Sequence, residues 1–198
     1  MTLLQWAGLI TLVSIAISIV TLLVVHFLPT GLNPIRDPVS QYRLTRFRGW
    51  TITSAICSAI AGIGAIVLFT ALSGSAAILT DVLLGVFVVS RLLLPIIPMD
   101  APGAAATPRG RTHYALAIVG FAAITAAIFV AGGLLQQAGH ADTATWSTVL
   151  GIVAAVGAIG LLIGVIARRS GLFGLFERII YLGFMPWLAL VGYIALRG

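Results

Sequence analysis

Six long apolar runs, separated by short polar or proline-rich stretches, set the layout of this chain. They cover residues 6–27, 49–72, 78–98, 113–135, 146–167 and 176–196. Each is close to the ~20 residues that cross the hydrocarbon core of a bilayer. Inside them the apolar residues do not alternate, as the stretch 9–25 shows. A backbone in lipid must satisfy its own hydrogen bonds, and a barrel would need many alternating strands of about ten residues. The pattern therefore predicts an all-α polytopic membrane bundle of six transmembrane helices, forming one domain over residues 1–198. The first run reads as a span and not as a cleaved leader. Its apolar core is too long, no basic residue precedes it and no small-residue cleavage site follows. Trp6, Trp50 and Trp146 fall at span ends, where indole rings anchor at the membrane interface.

Composition agrees and removes the alternatives. Of 198 residues, 60% are hydrophobic and only 8% charged, and mean hydropathy is +1.15. A soluble domain of this size cannot hide so much apolar surface. A disordered chain would carry more charge and fewer Leu, Ile and Val. The net charge of +6 comes from eleven arginines and no lysine against five acids. In a soluble protein that balance would suggest nucleic acid. Here the arginines lie between apolar runs and act as topology signals, so no nucleic-acid partner is expected. The single cysteine, Cys57, can form no internal disulfide and has no CxxC partner for a metal or redox site. Arginine-only basicity with abundant Ala and Gly points to a GC-rich prokaryotic source.

The arginines also predict direction. The first loop carries Arg36, Arg43, Arg46 and Arg48, and the third carries Arg109 and Arg111. The fifth carries Arg168 and Arg169, with Arg178 close behind. The remaining loops and the termini carry only Arg197. The arginine-rich loops are expected in the cytoplasm and both termini outside, in a multi-pass plasma-membrane protein. Small residues recur at helical spacing, as in Ser54, Ser58 and Gly62 or Gly160 and Gly164. Such stripes let helices approach closely, within the chain or across a homo-oligomer.

Candidate chemistry gathers at the arginine-rich side. In the first loop, Asp37 before Pro38 is expected to cap a short interfacial helix over residues 38–48, with Arg43 and Arg46 on one face. In the third loop, Asp100 sits in an Asp-Ala-Pro-Gly turn. Thr107 before Pro108 is a second cap-and-first-residue pair, and His113 opens the fourth span. His26 ends the first span on the same side. His26, Asp37, Asp100 and His113 are the residues that could hold a divalent ion such as zinc, although no HExxH or paired-histidine spacing is present. Asp37, Ser40, Asp100 and His113 are the catalytic candidates, Ser40 as a hydroxyl nucleophile.

Arg91 is placed well inside the third run, about 10 Å from its cytoplasmic end at 1.5 Å per residue. An arginine at mid-membrane costs at least ~2.5 kcal/mol, so it is expected to face the bundle interior or a polar cavity, or to snorkel toward the interface. There it would pair with Asp37 or Asp100, or grip a phosphate or carboxylate. Pro95 is expected to kink the helix beyond it. The ligand-binding candidates are thus Arg91, Asp37, Asp100, His113 and Tyr42. Haem, nucleotide and flavin signals are lacking: the histidines lie at span ends or in a loop, and there is no P-loop or Gly-x-Gly-x-x-Gly after a strand.

Two proline-rich segments carry a resemblance. The stretch Asn33-Pro-Ile-Arg-Asp-Pro-Val-Ser-Gln-Tyr42, then Pro98-Met-Asp-Ala-Pro-Gly103 and Gly110-Arg-Thr-His113, resembles the bacterial and archaeal domain-of-unknown-function family 998. Its members look like compact six- or seven-span proteins with Asp-Pro-x-Ser after the first helix and Gly-x-x-His opening the fourth. Where the family has Phe-Pro-x-Asp, this chain has Ile97-Pro-Met-Asp100. The resemblance directs attention to Asp37, Ser40, Asp100 and His113 and implies no activity. The leading expectation is a polar cytoplasmic-side site that recognises or modifies an anionic lipid or similar amphiphile, with membrane lipids as partners. The alternatives are a small-solute or proton-coupled transporter, or a non-catalytic accessory subunit of a membrane complex.

Overall fold

The computed structural model describes residues 1–166 and 171–198, so Arg168, Arg169 and the end of the fifth run lie outside the described residues. Among the described residues there are six α-helices and no strand. They are α1 (Leu3–Phe27), α2 (Arg48–Ser73), α3 (Ile78–Leu93), α4 (Pro108–Gln137), α5 (Ala141–Ile166) and α6 (Phe173–Arg197). A 3-10 helix, Val39–Leu44, lies in the first loop, and a 3-10 turn, Gly74–Ala77, joins α2 to α3.

Two helix ends differ from the hydropathy reading, and local chemistry explains both. α3 stops at Leu93, because Pro95 cannot continue the ladder, and residues 94–97 turn instead of kinking within a longer span. Arg91 therefore lies in the last turn of α3. α4 begins at Pro108, five positions before the run becomes apolar. Thr107 caps it by accepting the Gly110 N–H at 3.0 Å, and Pro108 occupies the first turn, where a missing N–H costs nothing.

The helices follow one another around a closed ring, each packed on the next in sequence, with α6 returning against α1. Helices adjacent in sequence, and α6 with α1, run antiparallel, whereas α2 and α6 pack parallel. Ser18 meets Ser54, Ser58 meets Arg91, Ser147 meets Trp187, and His26 meets Arg178. All the arginine-bearing loops among the described residues thus share one end of the bundle. On α1 the buried residues are Gly8, Thr11, Ser14, Ser18 and Thr21 together with Ile15, Leu22 and Val25, whereas Ile10, Val13, Ile17, Val20 and Leu23 are exposed. An outside that is large and apolar, with small and hydroxylated residues confined to the inside, suits a solvent of lipid. The chain is a helical membrane bundle: α1, the α2–α3 stretch, α4, α5 and α6 are each long and apolar enough to cross a membrane.

The small-residue stripes are used within the chain. A Cβ on Gly64 would collide with Thr11, and one on Gly160 with Phe176. Ser18 donates to the Ser54 carbonyl at 2.8 Å.

α6 supplies the central column. Trp187 is stacked on Phe69 with centroids 6.0 Å apart and donates its indole N–H to Ser147 at 2.9 Å. Phe184 meets Phe87 edge-on at 5.3 Å, and Tyr181 meets Phe121 at 5.9 Å. One turn further toward the arginine-rich end the buried residue is Glu177. The interior thus changes from aromatic to ionic along a single helix face, over roughly 15 Å from Trp187 to Glu177.

Candidate functional site

The first loop is docked on the start of α6. The Gly174 and Leu175 N–H groups, which a helix start leaves unpaired, donate to the Arg36 and Ile35 carbonyls at 3.2 and 2.9 Å. A Cβ on Gly174 would strike the Pro34 and Asp37 carbonyl oxygens, so this approach requires glycine. Glu177 accepts the Val39 N–H through Oε2 at 2.6 Å. Arg178 completes the seam. Its Nε donates to His26 Nε2 at 2.8 Å, Nη1 to the Asp37 and Gly174 carbonyls at 3.0 and 2.9 Å, and Nη2 to the Tyr42 hydroxyl at 3.2 Å.

This seam replaces the expected local cap. The short helix is a six-residue 3-10 helix with no side-chain cap, not an α-helix over residues 38–48. Asp37 instead accepts the Asn33 N–H at 2.7 Å and closes its own loop, while the Val39 amide is taken by Glu177. Nor do Arg43 and Arg46 share an interfacial face. Arg46 is exposed, its guanidinium 4.7 Å from the Phe47 ring, whereas Arg43 turns inward.

The third loop is folded onto the start of α4. Asp100 accepts the Thr107 N–H at 2.9 Å through Oδ2 and the Thr107 hydroxyl at 2.6 Å through Oδ1. These two donors, together with the charge of Arg111, hold the Asp100 carboxyl below its ordinary pKa. A Cβ on Gly110 would collide with that carboxylate, which explains the glycine of Gly-x-x-His. His113, 1% exposed, donates from Nδ1 to the Ile97 carbonyl at 2.6 Å. In the neutral ring this leaves Nε2 as the acceptor.

Between the two loops and helices α4, α5 and α6 lies a cleft of about 840 Å³. Asp37, Ser40, Asp100 and His113 all line it, joined by Arg36, Arg111 and Glu177. Its other wall is apolar and includes Ile118, Phe121, Leu161 and Val165. A second groove of about 170 Å³, lined only by apolar residues, shares Ile118, Phe121 and Leu161 with it and runs on along α4 and α5. The structure therefore brings the four catalytic candidates into one cavity.

The other candidates stand elsewhere. Tyr42 is 1% exposed and takes part in the Arg178 seam, not the cleft lining. His26 donates from Nδ1 to the Leu22 carbonyl at 2.5 Å and accepts Arg178 at Nε2, so neither ring nitrogen is left for a metal. Among the described residues no three His, Cys, Asp or Glu side chains come together as a metal-binding group. Arg91 is buried, as its cost in lipid requires, but is not paired with Asp37 or Asp100, both of which are held in their own loops. It donates through Nε to Ser58 at 2.9 Å and through Nη1 to the Tyr181 hydroxyl at 3.0 Å. Its guanidinium lies 5.3 Å from the Tyr181 ring centroid and 5.9 Å from that of Phe184.

Three residues of this region escape a sequence reading that seeks motifs. Arg43 has Nε and Nη1 buried with no hydrogen-bond partner among the described residues. Burial, and then the like charge of Arg91, push its guanidinium below the usual value, while Tyr181 and Glu177 act in the opposite sense. Glu177 and Arg178 read as ordinary helix-start charges. The available signal for Glu177 is spacing: it lies three residues after Gly174 and four before Tyr181, on the buried stripe of α6. No such periodicity marks Arg43.

Comparison with known families matches residues 12–194 to a sequence model described as a protein of unknown function, DUF998. No curated protein and no solved structure matches the chain.

Proposed function

Since the chain belongs to the DUF998 family over nearly its whole length, a membership that assigns no chemistry, we propose its function from the geometry of the cleft: recognition of an amphiphile with an anionic head group. The observation that carries this reading is the two-part lining. One end offers Arg36, Arg111 and Ser40 as donors to a polar head, beside the Asp37, Asp100 and Glu177 carboxylates and His113 Nε2, which can accept from a head-group hydroxyl, and the other offers Ile118, Phe121, Leu161 and Val165 to an acyl chain. Continuation into a purely apolar groove gives the chain a path along the outside of the helices. The positive-inside rule assigns this end to the cytoplasmic face of the plasma membrane, with both termini outside. Asp37 and Asp100 shape the loops that frame the head-group end.

Native mass spectrometry of the purified protein beside Leu161→Trp tests the reading. Retained phospholipid that is lost when the indole fills the apolar wall supports it. Equal retention in both proteins refutes it.

A further inference from the structure

Behind the inner wall of the cleft, the bundle holds three arginines around one acid. Arg178 is fully engaged by His26, Tyr42 and two carbonyl oxygens. Glu177, 6% exposed, has turned Oε2 to the Val39 N–H. Arg91, 3% exposed, is held rigidly by Ser58 and Tyr181, both neutral. Arg43 lies within electrostatic reach of Arg91, Glu177 and His113, and its Nε and Nη1 have no acceptor among the described residues. Buried charged donors without acceptors are strongly destabilising, and a like charge within electrostatic reach adds to that. Glu177 offsets part of that charge, and the free Arg43 donors still call for an acceptor. Glu177 and His113 line the cleft and neither Arg43 nor Arg91 does, so the two arginines lie behind that wall.

Resting on the amphiphile reading, we infer that Arg43 and Arg91 form an oxyanion subsite behind the Glu177 and His113 wall of the cleft, taking a phosphate-type group. Its oxygens would accept the free N–H groups of Arg43, and the fixed charge of Arg91 would attract it. Guanidinium groups suit this role because they stay charged when buried and match oxyanion geometry. The group may come from a lipid head or from free phosphate, since the chemistry is the same.

The test uses the full chain in a neutral detergent, with Arg43→Met beside the wild type. Melting is followed against inorganic phosphate, with chloride at equal ionic strength as control, and lipid retention is compared for phosphatidylglycerol and phosphatidylcholine. The wild type is expected to be stabilised by phosphate or to prefer phosphatidylglycerol, and Arg43→Met to weaken that response at least tenfold. Arg43→Met should also melt above the wild type when ligand-free, because an unpaired buried charge is gone. A response to phosphate identifies free anion as the source, and a response to phosphatidylglycerol alone identifies the head group. Should Arg43→Met not fold, Arg43→Gln, which removes the charge and keeps a donor, makes the same comparison. Lipid retention that is lost in Leu161→Trp but unchanged by the Arg43 variants overturns the subsite and leaves the amphiphile reading standing. Retention unchanged in all of them overturns both.

Discussion

Arg178 of α6 donates its Nε–H to Nε2 of His26, at the far end of α1, across 2.8 Å. The contact decides the histidine's protonation. Nε2 must carry the lone pair and Nδ1 the proton, which goes to the Leu22 carbonyl. It also closes the helical ring, because α1 and α6 are the first and last elements. The remaining Arg178 donors hold the Asp37 carbonyl and the Tyr42 hydroxyl, so one side chain clamps the first loop to both helices.

Removing that clamp should be costly. Arg178→Met leaves the carbonyls of Asp37 and Gly174 and the His26 lone pair without their donor. Hydrogen bonds to charged groups are worth ~1.5–3 kcal/mol each, and the losses are not additive. The expected destabilisation is roughly 3 kcal/mol or more. Arg178→Lys should recover little, since an ammonium cannot reach four acceptors in fixed directions. Thermal melting in detergent measures both variants.

Gly110 and Asp100 should behave as a coupled pair. Gly110→Ala pushes a methyl into the Asp100 carboxylate, an overpacking cost of ~1–3 kcal/mol. Once Asp100→Ala has removed the carboxylate, the added methyl should cost much less. The double-mutant cycle should therefore show a coupling energy above about 0.5 kcal/mol. Strict additivity would mean that the third loop does not hold its observed packing.

The Asp100 contact carries a pH signature. Its pKa is lowered from 3.8 in the folded protein, first by the Thr107 hydroxyl and then by the Thr107 N–H. The unfolded chain then binds the proton more readily, so stability rises with pH in that range. The contribution is fully present above pH 3.8 and is lost as the pH falls through the depressed folded value. The melting-temperature difference between wild type and Asp100→Asn should accordingly be constant at neutral pH and shrink below that value. A difference that grows on acidification would contradict the assignment.

His113 can be separated into its two nitrogens. An asparagine amide can take over the Nδ1–H bond to the Ile97 carbonyl but has nothing at the place of Nε2. His113→Asn should keep most of the stability, while His113→Ala should lose about 1–3 kcal/mol by orphaning a buried carbonyl. If Nε2 serves the cleft, both variants should lose lipid retention equally despite their different melting temperatures. Native mass spectrometry and melting, run on the same preparations, check this.

Much of the fold was legible in the residues themselves. Continuous apolar runs such as 9–25 mark membrane helices because lipid leaves the backbone no other partner. Thr107-Pro108 marked the start of α4 because cap chemistry is local. The same local reasoning failed for Asp37-Pro38, where a carboxylate 138 positions from Val39 took the amide that a local cap would have held. Loop order placed His26, Asp37, Ser40, Asp100 and His113 on one face, and the cleft gathers the last four but not His26.

The sequence alone thus determined the class of the protein, its apolar helices and the end at which its arginines collect. Each of these follows from the hydropathy, charge or spacing of neighbouring residues. Tertiary structure alone decided which charged groups meet. It turned Arg43 inward and Arg46 outward, gave Arg91 to Ser58 and Tyr181 instead of an aspartate, and joined Glu177 and Arg178 to a loop from the other end of the chain. The reason is physical. A buried ionic contact depends on the distance between elements far apart in sequence, and no local pattern encodes that distance.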